Sequence, residues 1–288
     1  MWYKQATNIP TVGRVTDYDG LWSDPEVLVY LDFETTGLNP FGGDRVCEVG
    51  LVRARRGQVE AEFSSLVNPG RPISPGAAAI NGLTDRMVAG APRFADLLPQ
   101  LLGLLAGATI VAHNAAFDLN FLAAELRRVG IRYPGNPALD TLRLARRYYR
   151  FRSNSLRAVA GELGIGFDRP HRALSDAYTT KAVFERILFD LTGAVGVGAD
   201  IALRLQGGPV YPDPQPEVRL PPDLEEAIQS RQPIRVQYVD GRGTLTTRLI
   251  EPLDVYARGE VVYLVAFCHL RGEERTFRLD RISGYQPA

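Results

Sequence analysis

The chain has 288 residues, a formal net charge of zero, 45% hydrophobic and 23% charged residues. This composition excludes a disordered, collagen-like or disulfide-stapled protein and leaves room for one large core and a smaller module. No run of about 18 uncharged apolar residues exists, the opening MWYKQATNIP has no apolar stretch behind a basic segment, and Cys47 and Cys268 are the only cysteines. No membrane span or export signal is therefore expected, and a reducing, cytoplasmic compartment is.

Residues 1–26 read as an N-terminal extension. Val27–Phe33, VLVYLDF, is a β-branched and aromatic run that predicts a buried strand. Two further strands, Val46–Arg53 and Val59–Val67, flank a hairpin turn at Arg56 and Gly57. Phe94–Leu105 has helical spacing despite Pro99 and Gly103, and Thr109–Ala112 predicts another buried strand. Helices follow over Ala116–Val129, Thr141–Tyr149, Ser155–Leu163 and Ala173–Leu191. Strands first, then strands alternating with helices, predict an α/β layer structure with a mixed sheet over 27–191.

Charge is unevenly spread. From Phe121 to Arg172 there are eleven Arg against Glu125, Asp140, Glu162 and Asp168, and Lys4 and Lys181 are the only lysines of the chain. Arg suits bidentate phosphate contact; genomic base composition explains the bias equally well. Within this stretch RRYYRFRSNSLR, Arg146–Arg157, interleaves basic and aromatic residues. Such a tract fits a single-strand track or a solvated helix end with buried rings.

Gly193–Pro222 holds five Gly and six Pro, and 192–219 reads as a linker, extended over Pro209–Pro222. Beyond a short helix at Asp223–Ser230, closely spaced strand-like runs separated by turns such as Gly241–Gly243, Arg258–Gly259 and Arg271–Gly272 predict a small β-rich barrel over 220–288.

Three motifs carry the chemistry. Asp32 and Glu34 stand two apart on a strand and so share a face. Adjacent carboxylates repel unless a cation lies between them, and hard oxygen ligands suit Mg²⁺ or Mn²⁺; a solvated strand edge is the alternative. Thr35, Thr36 and Gly37 follow as a tight turn. His113-Asn114-Ala115-Ala116-Phe117-Asp118 comes directly after a strand, with Asn114 as helix N-cap and Asp118 in the first turns; taken alone, His113 and Asp118 serve equally as caps of that helix. In His171-Arg172-Ala173-Leu174-Ser175-Asp176, the five-residue separation would point His171 and Asp176 apart if both were helical, by about 140°. His171 is therefore expected on the loop before the helix, with Pro170 in support. A histidine beside a carboxylate is suited to taking a proton from water.

Taken together, LDFETTG, AHNAAFD and HRALSDA resemble the motifs of the DEDD exonuclease superfamily. The likeness is to its histidine-containing branch, which includes the proofreading epsilon subunit of bacterial DNA polymerase III and ribonuclease T. Asn68–Gly70, Ile80–Thr84 and Leu139–Arg146 add weaker support over Val27–Leu191. The resemblance implies a ribonuclease H-like mixed sheet flanked by helices, and 3′ to 5′ hydrolysis of single-stranded ends, DNA by preference, releasing nucleoside 5′-monophosphates. It also implies that Asp32, Glu34, Asp118 and Asp176 hold two divalent cations, Mg²⁺ or Mn²⁺, with His171 as general base. Thr35, Thr36, Gly37 and a wedging Leu38 would meet the terminal nucleotide, Asn114 and Phe117 would line its pocket, and His113 would support it. DNA repair or replication proteins are the implied partners.

Leu220–Ile282 resembles the WYL domain, through Val262-Tyr263-Leu264 and Arg275-Thr276-Phe277-Arg278-Leu279-Asp280-Arg281, with valine in place of the usual tryptophan. The implied role is binding of nucleic acid or a nucleotide-like ligand by Tyr263, Arg275, Arg278 and Arg281, with an SH3/Sm-like barrel as scaffold. A ligand-sensing protein that uses the nuclease fold as a clamp is the alternative function.

Overall fold

The computed structural model describes residues 24–166, 171–214, 220–230, 232–258 and 261–288. Most of the expected N-terminal extension, Pro170, residues 215–219 of the expected linker and Gly259 of an expected turn lie outside them. Two compact units divide the described chain: 24–36 with 46–212, and 37–45 with the residues from 213 onward.

The first unit is built on β1 (Val27–Thr35), which runs antiparallel to β2 (Val46–Arg55); β2 in turn pairs with β3 (Gln58–Leu66). Arg56 and Gly57 join β2 to β3 with φ of 48° and 81°, the left-handed pair that a tight hairpin of this twist requires. Two short helices follow, α1 (Pro75–Asn81) and α2 (Asp85–Val88). Ser74 caps α1 by accepting from Ala77 N–H at 3.2 Å, with Pro75 at its first position. Next come α3 (Phe94–Leu105), β4 (Thr109–Ala112), α4 (Ala115–Arg128), β5 (Ala138–Asp140), α5 (Thr141–Tyr148), α6 (Leu156–Glu162), α7 (Ala173–Thr192) and α8 (Ala199–Gln206). The sheet order is β3-β2-β1-β4-β5, with β1, β4 and β5 parallel.

β1 is central and covered on both faces, so Val27–Leu31 is buried throughout. Alternation sorts its side chains into two cores. Val27, Val29, Leu31 and Phe33 pack with α3 and α4, whereas Leu28 and Tyr30 pack with α6, α7 and α8. Asp32 and Glu34 continue the second of these faces, the one that α7 covers.

The expected linker starts too early. Ala199 and Ala202 of α8 are buried in the second core, and Val210 bridges Ala138 at the edge of the sheet. Gly198 and Gly207 bracket a folded helix there; glycine content signalled chain breaks correctly but not that the piece between them packs.

In the second unit, α9 (Pro222–Ser230) precedes β6 (Ile234–Val239), β7 (Leu245–Arg258), β8 (Val261–Cys268), β9 (Glu273–Arg278) and β10 (Ile282–Pro287). Among the described residues all pairings are antiparallel, in the order β10-β6-β7-β8-β9, the β-rich module expected of this region. Leu224 and Ala227 of α9 pack on Ile234, Val236, Ile250, Leu264 and Phe277. Cys47 and Cys268 are both buried and unpaired, one in each unit.

Candidate active site

The end of β1 begins the site. Asp32 and Glu34 are the half-buried positions of a strand otherwise buried, and a register shift between Glu34 and Thr35 bends it at this point. Across the β1–β2 pairing Asp32 faces Gly50 and Glu34 faces Glu48. A Cβ at Gly50 would overlap the backbone of Ala173 and Leu174. Glycine therefore lets the first turn of α7 lie directly on the sheet, and that turn brings Asp176 to the two strand carboxylates.

From α4 comes Asp118, 3% exposed, which accepts a hydrogen bond from Phe33 N–H at 3.0 Å. The chain reaches α4 through Asn114, whose φ of 71° and ψ of 51° are left-handed. Asn114 stands at the expected N-cap position but makes no side-chain cap; instead its N–H donates to Asp140 Oδ1 at 2.9 Å. His171 precedes α7, as its spacing from Asp176 required, with φ of 64° and its N–H donating to Asp176 Oδ2 at 3.0 Å. A left-handed histidine is uncommon and is held here by that bond.

All five residues line one cleft of about 340 Å³. Ligating atoms of Glu34, His171 and Asp176 lie within 4.8 Å of one another, with Asp32 and Asp118 in the same cleft. Burial, then the charges of Asp118, Glu34 and Asp176, raise the Asp32 carboxyl well above its ordinary range. Burial followed by Asp176 and Glu48 pushes Glu34 up to about 7. Asp118 and Asp176 are raised mainly by burial, opposed by the Phe33 and His171 N–H groups respectively. Four desolvated carboxylates that raise one another fit hard divalent cations, whose charge would relieve the repulsion.

The expected nucleotide contacts divide. His113 and Phe117 line the cleft; Asn114 is exposed and does not. The His113 ring is fastened on both sides, Nε2 to Asn154 O at 2.8 Å and Nδ1 to Thr141 Oγ1 at 2.9 Å, and burial lowers its pKa. A carbonyl only accepts, so Nε2 carries the proton and the ring has no donor left for a ligand. Phe117 packs against Phe121 with centroids 4.9 Å apart. Thr35 and Thr36 are buried, and their carbonyls accept from Asn81 Nδ2 and Ser74 N–H. At Gly37 the Asp44 carboxylate lies where a Cβ would stand, so a side chain there would have to push it aside. Leu38 is 80% exposed in the 37–45 segment that groups with the second unit.

Sequence reasoning missed Glu48, Gly50, Arg172 and the cleft residue Thr179; Ser155, Leu156 and Arg157, which also line the cleft, end the tract Arg146–Arg157 that it singled out. Only Arg172 had a local signal, its place inside HRALSD. In the Arg146–Arg157 tract the rings serve the fold: Tyr149 and Phe151 stack on each other at 4.8 Å, and Tyr149 donates to Asp190 Oδ2 at 2.9 Å.

The candidate binding residues Tyr263, Arg275, Arg278 and Arg281 of the C-terminal unit are spread as strand alternation requires. Tyr263 stands opposite Arg278 and stacks on Tyr256 at 5.0 Å, whereas alternation puts Arg275 on the other face, that of Phe277. Arg278 pairs with Asp280 at 2.7 Å and Arg275 with Glu273 at 2.8 Å, and Arg281 belongs to the turn before β10.

No helix among the described residues is long and apolar enough to cross a membrane. Residues 220–287 match the WYL domain model. The chain is 39% identical over 184 residues to a DNA polymerase III PolC-type of Thermotoga petrophila, covering 64% of this chain but only 13% of that relative. It is 32% identical over 179 residues to the DNA polymerase III subunit epsilon of Pasteurella multocida, covering 59% of this chain and 70% of that one. In fold it resembles the zinc-bound crystal structure of the E. coli ExoI–ssDNA complex, with 19% identity and a TM-score of 0.55 over 85% of this chain and 55% of that one. Residues 29–184, more than half of the chain, match the family model described as Exonuclease, and the protein belongs to that family.

Proposed function

We propose that the protein is a 3′ to 5′ exonuclease that removes nucleoside 5′-monophosphates from single-stranded ends, DNA by preference. The observation that carries this reading is the convergence of Asp32, Glu34, Asp118 and Asp176 in one cleft with the His171 ring within 4.8 Å of two of their ligand atoms. The four carboxylates would hold Mg²⁺ or Mn²⁺. When bound, two such cations supply Lewis-acid stabilisation of charge developing at phosphorus and on the leaving oxygen.

His171 takes a proton from the attacking water, and Asp176, which accepts the His171 N–H, keeps the loop at the cleft. The new bond joins water oxygen to phosphorus as the bond to the 3′ oxygen breaks. That oxygen takes a proton from solvent water to become the new 3′ hydroxyl of the shortened strand, and His171 returns its proton to solvent. Phe117 and Leu156 give the cleft an apolar wall for the terminal nucleoside, and Arg157 gives it a cation for the backbone. The WYL domain binds nucleic acid or a small ligand and regulates or recruits. Replication or repair in the cytoplasm is the setting that the polymerase III relatives suggest.

Incubating a 5′-labelled single strand with the full chain and Mg²⁺ tests the reading. A ladder shortening from the 3′ end is expected; a retarded but uncut strand would replace the enzyme with the nucleic-acid clamp. DNA, RNA and mismatched duplex ends run side by side give the preference.

A further inference from the structure

β2 brings a fifth carboxylate up beside Glu34, behind the lining of the cleft. Glu48 stands opposite Glu34, is 1% exposed, and its charge raises the carboxyls of Asp32, Glu34 and Asp176. Arg172 faces it: Nε and Nη2 donate to Glu48 Oε1 at 2.9 and 2.8 Å, Nε also reaches Oε2 at 3.2 Å, and Ala173 N–H donates to Oε2 at 3.3 Å. Arg172 is the residue between His171 and the start of α7, and its carbonyl accepts from Asp176 N–H at 3.0 Å. One residue therefore joins the buried Glu48 to the backbone that carries both His171 and Asp176. Gly50 supplies the matching close approach, since only a residue without a side chain lets Ala173 and Leu174 rest on β2.

We propose that Arg172 and Glu48 are a positioning pair for the cleft, clamping the entry to α7 so that His171 and Asp176 meet the strand carboxylates, and withholding Glu48 from the cation-binding set. This rests on the exonuclease reading above. Charge supports the division. Two divalent cations would be offset by Asp32, Glu34, Asp118 and Asp176, whereas Glu48 is offset separately by Arg172. Without the guanidinium, a buried carboxylate would be left uncompensated beside Glu34. Lysine would restore charge but not the forked contact to both oxygens.

The test uses the full chain and the variants Arg172→Gln, Arg172→Lys, Glu48→Gln and the Arg172→Gln/Glu48→Gln double. Mn²⁺ binding is followed by electron paramagnetic resonance, single-strand hydrolysis by kcat and KM, and folding by thermal unfolding. Arg172→Gln is expected to lower kcat and Mn²⁺ affinity each by about 10- to 100-fold, as loss of a partner that orients metal ligands does, while KM for the strand stays within about twofold. Arg172→Lys recovers part of the loss. The double variant binds Mn²⁺ more tightly than Arg172→Gln alone, because no stray carboxylate remains. A folded Arg172→Gln chain that binds Mn²⁺ and turns over within about twofold of the parent overturns the pair, as does a double variant whose loss is the product of the single losses. If Arg172→Gln does not fold, Arg172→Lys and the double variant carry the same comparison. A parent chain that neither binds Mn²⁺ nor shortens the strand overturns the exonuclease reading as well, whereas an active parent with indifferent variants overturns only the pair.

Discussion

The cleft of the first unit and the sheet surface of the second carry charge in opposite ways. In the cleft Asp32, Glu34, Asp118 and Asp176 crowd together, half-buried or buried, and raise one another's pKa. On the second unit Asp280 is lowered by its bond to Arg278 and Asp240 by the Thr244 and Arg242 N–H groups, so each charge is met by a near neighbour. Like charge concentrated out of water is held at a cost and suits a bound cation. Exposed charge already neutralised needs nothing further.

Asp32→Ala breaks the comparison most severely. Hydrolysis is expected to fall by three orders of magnitude or so, while thermal unfolding of the metal-free chain occurs no lower than in the parent, because the variant relieves repulsion. Comparable turnover would show that the crowded carboxylates are not the working ones.

Gly50→Ala attacks the same cleft without touching a charge. Its methyl group would displace the first turn of α7 and cost about 1–3 kcal/mol, as overpacking does. Hydrolysis should fall with it; a variant as active and stable as the parent would mean that α7 does not need to rest on β2.

Stability against pH sharpens the contrast. Glu34, at about 7, and Asp32, Asp118 and Asp176, all raised, keep protons in the folded metal-free chain at pH values where the unfolded chain has lost them. The folded state then binds more protons than the unfolded, so stability falls as pH rises from the ordinary carboxylate range through about 7, the reverse of a salt-bridged carboxylate. The unfolding midpoint in chelator should drop between pH 5 and pH 8, and Mg²⁺ at about 100 times its Kd should return about 2.7 kcal/mol at pH 8. A flat profile in chelator would deny that these groups are desolvated together.

The smallest effect belongs to the second unit. Arg275→Ala removes an exposed partner of Glu273 and should move the unfolding midpoint by no more than about 2 °C, with hydrolysis unchanged. A clear loss of nucleic-acid binding would restore Arg275 as a contact and weaken the contrast drawn above.

Much was legible before the fold was known. VLVYLDF alternates its contacts between two cores and presents Asp32 and Glu34 on one face, and the period of a strand requires both. Helical spacing and punctuation placed α3 and β4, and the separation of His171 from Asp176 put the histidine outside α7. Weaker local codes failed. α1 and α2 are too short for a periodic signal, and α8 hid in a glycine-rich stretch because its stability comes from Ala199 and Ala202 packing on a distant core.

The amino-acid sequence by itself determined the chemistry available, which residues are carboxylates and on which local face each stands, because those properties follow from periods of two and 3.6 residues. Only the tertiary structure decided which charges meet. Glu48 and Arg172 are 124 residues apart in the chain, and Gly50 is a contact surface only because α7 returns to it. Pairing across such distances is set by how layers pack, and no local pattern encodes it.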